Sequence, residues 1–135
     1  MKLMFQNGAD INAKTTIGTI PLHHAVETGK IRIVKWLLKN GANVDSRNID
    51  GSTPLHYCAW QGHYAIAKVL IENNADLNAV NRKGHSPLSF ANERRKTRVA
   101  SLLREHGSTQ EEALPEPDHL QNLFDDLGKI FEEAK

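Results

Sequence analysis

The sequence predicts an all-α solenoid of short stacked repeats, on three observations. The chain matches itself at an offset of 33 residues: Gly18, Gly51 and Gly84 precede Pro21, Pro54 and Pro87, and the same offset joins Leu22, Leu55 and Leu88. Each unit carries start and stop residues for two short helices. Such a pair cannot enclose a core alone, so each must bury its apolar face on the next unit.

Residues 1–14 hold only the second helix and hairpin start of a repeat, leaving Leu3, Met4 and Phe5 poorly covered. Either the chain is a fragment or something else covers them. In the unit 15–47, Pro21 opens a helix at the position where its missing N–H costs nothing, and Gly29 stops it. Ile20 stands where a capping hydroxyl belongs, an expected cost of roughly 1 kcal/mol. On that reading Ile20→Thr raises the melting temperature. A second helix follows, with Ile31, Val34, Leu37 and Leu38 at i, i+3, i+4 spacing and Trp36 read as core. Gly41 closes it.

The unit 48–80 is the most regular. Thr53-Pro54 starts its first helix, which runs through His56 to Trp60 and ends at Gly62. Cys58 takes an alanine-like position, which suits a small core residue better than a reactive thiol. Ile66, Val69 and Leu70 form the second apolar stripe, and Asn74, which tolerates the left-handed backbone, closes it. In the unit 81–107 Ser86-Pro87 repeats the start, but Arg95 stands where Gly29 and Gly62 stand, and Arg104 where Leu38 and Ile71 face the core. This unit reads as a polar C-terminal cap. The links Gly41–Gly51 and Asn74–Gly84, rich in Asn, Asp and Gly, should form turns or short hairpins.

Beyond Gly107 the pattern stops. Residues 108–117, with Pro115 and Pro117, read as a linker, and 118–135 as an acidic amphipathic helix with Leu120, Leu123, Phe124, Leu127, Ile130 and Phe131 on its apolar face. That face has three readings: packing on its own stack, forming a homodimer, or waiting for a partner. Charge divides the chain at the same place. Residues 1–107 carry 15 Lys/Arg against 8 Asp/Glu and 108–135 carry 2 against 8, so net charges of +7 and −6 nearly cancel.

Gly51-Ser52-Thr53-Pro54-Leu55-His56 and Asn74-Ala75-Asp76-Leu77-Asn78-Ala79 resemble the two signature stretches of ankyrin repeats. Ile20-Pro21-Leu22-His23 and Ser86-Pro87-Leu88-Ser89 are weaker copies of the first, and Asn7-Gly8-Ala9-Asp10-Ile11-Asn12-Ala13 a close copy of the second. The resemblance implies helix-turn-helix units joined by short hairpin loops, with His23 and His56 in a structural hydrogen bond near the helix start. It also implies a concave face of hairpin tips and first helices that holds partner proteins. Carried over position by position, that face comprises Ile17, Thr19 and Thr28; Ile49, Asp50, Ser52, Trp60 and Gln61; and Arg82, Lys83, His85 and Arg94, with Thr16, Glu27 and Glu93 beside them.

Trp60 is the expected anchor, because tryptophan is enriched among interface hot spots. Its competing role is to pack against Phe90 or Glu93 of the next repeat. With Arg82, Lys83 and Arg94 on one flank, the expected partner is a protein or peptide presenting an apolar anchor beside acidic residues, and the acidic tail is itself a candidate competitor.

Other function classes find less support. The seven histidines are scattered and lack HExxH or Cys/His spacing, so no metal or other cofactor is expected. No nucleophile–base pair, glycine-rich phosphate loop or paired carboxylates suggest an enzyme. A regulatory or targeting fragment of a larger enzyme is the alternative reading. Nucleic-acid binding through the basic last repeat is a second, weakened by the lack of interleaved stacking aromatics. No apolar run approaches the roughly 18 residues of a membrane span, and a single cysteine suits a reducing compartment, so a cytoplasmic setting is expected, with the nucleus open.

Overall fold

The computed structural model describes residues 10–107, which form three helix pairs. These are α1 (Pro21–Glu27) with α2 (Ile31–Lys39), α3 (Pro54–Gln61) with α4 (Tyr64–Glu72), and α5 (Pro87–Glu93) with α6 (Thr97–Glu105). Among the described residues there are no strands. Within each pair the helices pack together; between pairs, α1 lies on α3 and α3 on α5, while α2 lies on α4 and α4 on α6. Two parallel rows of helices result. The core runs between them, with the repeat-equivalent Leu22, Leu55 and Leu88 each fully buried and Ala25, Cys58 and Ala91 beside them. The small side chains at those last three positions let neighbouring first helices approach.

Local chemistry sets the boundaries. Thr53 Oγ1 accepts the His56 N–H, and Ser86 Oγ accepts the Ser89 N–H at 3.1 Å. Proline occupies the first position of all three first helices. At their ends Gly29 and Gly62 adopt φ of 75° and 79°, and Arg95 is held in the same left-handed region at 57°. A non-glycine residue there is disfavoured by contact between Cβ and the backbone. Asn74, at φ 65°, plays the same part after α4.

Two sequence expectations need correction. Ile20 does lack a capping hydroxyl, yet only 2% of it is exposed and it belongs to the core. The His23 N–H is taken instead by the Ile20 carbonyl at 3.0 Å. Ile20→Thr would exchange buried apolar surface for a cap, so the expected gain in melting temperature is cancelled. Trp36 is half-buried at the rim of the core, because its row of helices has a solvent side. Arg104, as expected of a terminal face, is exposed, and its Nη2 donates to Asn92 Oδ1 at 2.9 Å.

Polar bonds join consecutive repeats. The Ile49 N–H donates to the Ile17 carbonyl at 2.9 Å and the Arg82 N–H to the Asp50 carbonyl at 2.8 Å, so the hairpin tips are tied backbone to backbone. Gly18 is required there: at φ +78° an added Cβ would sit 2.9 Å from the Ile49 nitrogen. Lys14 Nζ donates to the Arg47 carbonyl at 3.2 Å, and Arg47 Nη1 to the Val80 carbonyl at 2.9 Å, one repeat apart each time. No helix of the described residues is long and apolar enough to cross a membrane.

Candidate partner-binding surface

The hairpin tips and first helices form one face, and the apolar side chains exposed on it stand out. Among the described residues Ile17 (55%), Ile49 (55%) and Trp60 (36%) are the exposed large hydrophobics. All three belong to the set expected from sequence. Ile17 and Ile49 occupy consecutive hairpin tips; Trp60 lies in the last turn of α3, against Phe90 of α5.

Of the two roles weighed for Trp60, the structure holds the packing one, and the residue stays 36% exposed. Its ring meets Phe90 edge-on with centroids 5.1 Å apart, while the Arg94 guanidinium lies 4.4 Å over it. A cation above an indole face is attracted by the ring quadrupole. Arg94 is thus engaged with Trp60, whereas Arg82 and Lys83 stand exposed at the third tip.

A cavity of about 340 Å³ opens beside Trp60. Glu27 from the end of α1 borders it, with Asn48, Asp50 and Ser52 from the second hairpin. The rest of its lining comes from α3 and α5: His56, Tyr57, Trp60, Gln61 and Phe90. Asn48 Nδ2 donates to the Tyr57 hydroxyl at 2.6 Å, fixing the phenol in the wall. Burial raises the Tyr57 pKa, and the Glu27 and Asp50 carboxylates add to the rise against the opposing Asn48 hydrogen bond.

Of the residues expected on the face, the structure brings Asp50, Ser52, Trp60 and Gln61 to this cavity, with Glu27. Several of the expected residues are engaged within the stack. Ser52 is buried and its hydroxyl accepts from Asn81 Nδ2 at 3.2 Å. Thr19 shares a 2.7 Å hydroxyl contact with Thr15, and Thr28 Oγ1 donates to the His24 carbonyl at 2.9 Å. His85 is tilted against Phe90 with centroids 4.7 Å apart, contacts Ser89 Oγ at 2.8 Å and lies 3.8 Å from a Glu93 carboxylate oxygen. The tail positions Leu120, Leu123, Phe124, Leu127, Ile130 and Phe131 lie outside the described residues, as do Leu3–Phe5.

Sequence reasoning passed over Tyr57 and Asn48. One signal for Tyr57 was available, since it stands three residues before Trp60 and shares its helix face. Asn48 gave none, because its bond to Tyr57 spans hairpin and helix.

Two buried histidines underlie the face. The Thr53 N–H donates to His56 Nδ1 at 3.0 Å, so Nδ1 is unprotonated and Nε2 donates to the His85 carbonyl at 2.8 Å. His23 repeats this, accepting from the Ile20 N–H at 3.0 Å and bonding the Ser52 carbonyl at 3.2 Å. Burial lowers both pKa values, that of His56 to about 4. Each ring thus links a helix start to the next hairpin in its neutral form. Cys58 is buried, its thiol pKa raised by burial, and its Sγ contacts the His63 carbonyl at 3.0 Å. Among the described residues no His, Cys, Asp and Glu group is arranged to hold a metal ion.

Comparison with known families gives one finding: the model for ankyrin repeats matches residues 1–81, with three copies. No curated protein matches the chain significantly. The matched stretch stops before α5 and α6, which follow the geometry of the earlier pairs.

Proposed function

Because this chain belongs to the ankyrin-repeat family, we propose that it binds a protein or peptide through its concave face of hairpin tips and first helices. Ankyrin repeats are generally protein–protein interaction modules and typically non-catalytic. The observation that carries the finer reading is the coincidence of Ile17, Ile49 and Trp60, the exposed large hydrophobics of the described residues, on that face. Ile17 and Ile49 are neighbours, joined backbone to backbone, and apolar side chains exposed side by side, unlike scattered ones, support an interaction surface. Trp60 is the anchor and Arg82, Lys83 and Arg94 form its basic flank, which suits a partner with an apolar side chain next to acidic residues.

In this proposal the acidic segment 118–135 modulates binding. Its net negative charge complements the basic flank, so it competes with an acidic partner or joins two copies of the chain. The test is affinity capture with the full chain against a Trp60→Ala, Arg94→Glu variant of verified fold, with quantitative mass spectrometry of what is retained. Partners held by the face drop at least tenfold on the variant, since losing a hot-spot aromatic costs about 2 kcal/mol or more. An identical set at identical levels on both baits would contradict the reading.

A further inference from the structure

The cavity beside Trp60 is more specific than the face around it. Tyr57, Trp60 and Phe90 supply aromatic walls. The charged side chains on its border are Glu27 and Asp50, and neither carboxylate is paired with a cation among the described residues. Arg94 lies over the Trp60 ring but does not border the cavity. Aromatic faces and free carboxylates attract the same kind of group, a cation on an apolar stem.

We propose that this cavity receives a cationic side chain, an arginine or a lysine, from the bound partner. The inference rests on the concave-face reading above and names what enters it. The side chain's methylenes lie along Tyr57 and Phe90, and its charged head meets Glu27 and Asp50. The negative potential is already felt within the wall, where both carboxylates act on the Tyr57 phenol. A partner segment that satisfies the whole face then alternates in charge, with acidic residues over Arg82, Lys83 and Arg94 and one basic residue in the cavity.

The test uses small probes on the full chain. Nα-acetyl-arginine amide and Nα-acetyl-lysine amide are titrated while the indole N–H signals of Trp60 and Trp36 are followed by NMR, with the norleucine and glutamine amides as neutral controls. The cationic probes should shift Trp60 saturably, leave Trp36 in place, and bind about tenfold more tightly than the neutral ones, as expected for combined cation–π and carboxylate contacts. A Glu27→Gln, Asp50→Asn variant should lose that preference, and because both residues are exposed its fold can be checked by an unchanged Trp36 signal. Equal binding of the norleucine amide, or an unchanged preference in the double variant, would overturn the assignment. The two readings fail separately. No cation preference alongside capture that still depends on Trp60 and Arg94 would remove the cationic ligand and keep the face; a selective cavity with capture indifferent to those residues would do the reverse.

Discussion

At His23 and His56 a ring nitrogen faces a backbone N–H, so protonation would set one N–H against another. The consequence is a stability that depends on pH with a definite sign. His56 titrates near 6.5 when unfolded and at about 4 when folded. Well above pH 6.5 both states are neutral and the full stability is present. Between pH 6.5 and about 4 the unfolded chain takes up the proton and the folded chain resists it. Stability therefore falls by roughly 1.4 kcal/mol per pH unit across that window for one such group. Urea unfolding at pH 7.5 and pH 5 should differ by about 2 kcal/mol from His56 alone, with a further loss from His23. His56→Gln should be less stable at neutral pH but show a shallower decline. Equal stability at the two pH values in the parent chain would refute this account. The histidines' place in a repeated signature was legible in the sequence; their tautomer was not, because it is set by the Ser52 and His85 carbonyls 29 positions away.

Helix boundaries were the most legible level, because proline, hydroxyl and glycine act through local geometry that does not depend on the stack. Arg95 could be identified as a substitute for Gly29 and Gly62 from alignment of the repeats, and it does take their left-handed backbone. What the local rules missed was packing. Ile20 looks like a defective cap when read along the chain, yet it is a core residue when read across the stack. A threonine there gains up to about 1 kcal/mol as a cap and loses a similar amount or more of buried hydrocarbon. Thermal unfolding of Ile20→Thr should show no rise in midpoint; a rise of several degrees would mean that the core tolerates the loss and the cap dominates. Trp36 packs against the core yet stays half-buried, for the related reason that a helical stripe gives a direction but not the depth of the layer it meets.

At the scale of the molecule, stability in a stack of this kind is close to a sum over neighbouring units. The bonds from Ile17 to Ile49 and from Asp50 to Arg82 show how the tips are coupled through the backbone, independent of which side chains they display. That separation lets the displayed residues vary without loosening the stack. The exposure of Trp60, Ile17 and Ile49 was legible because the repeat register assigns their positions. The cavity was not, since α1, the second hairpin, α3 and α5 all contribute to it and no single unit contains it. The opposite charges of residues 1–107 and 108–135 can be read from the sequence, whereas what the acidic segment touches is a proposal.

In the proposed function the hairpin tips and first helices, rather than the outer row of helices, hold the partner. Hydrogen–deuterium exchange of the full chain, alone and saturated with a partner recovered by the capture experiment, tests it most directly. Protection should concentrate on the tips around Ile17, Ile49 and Arg82 and on the end of α3 at Trp60. Protection confined to α2, α4 and α6, with the tips exchanging as in the free chain, would contradict it.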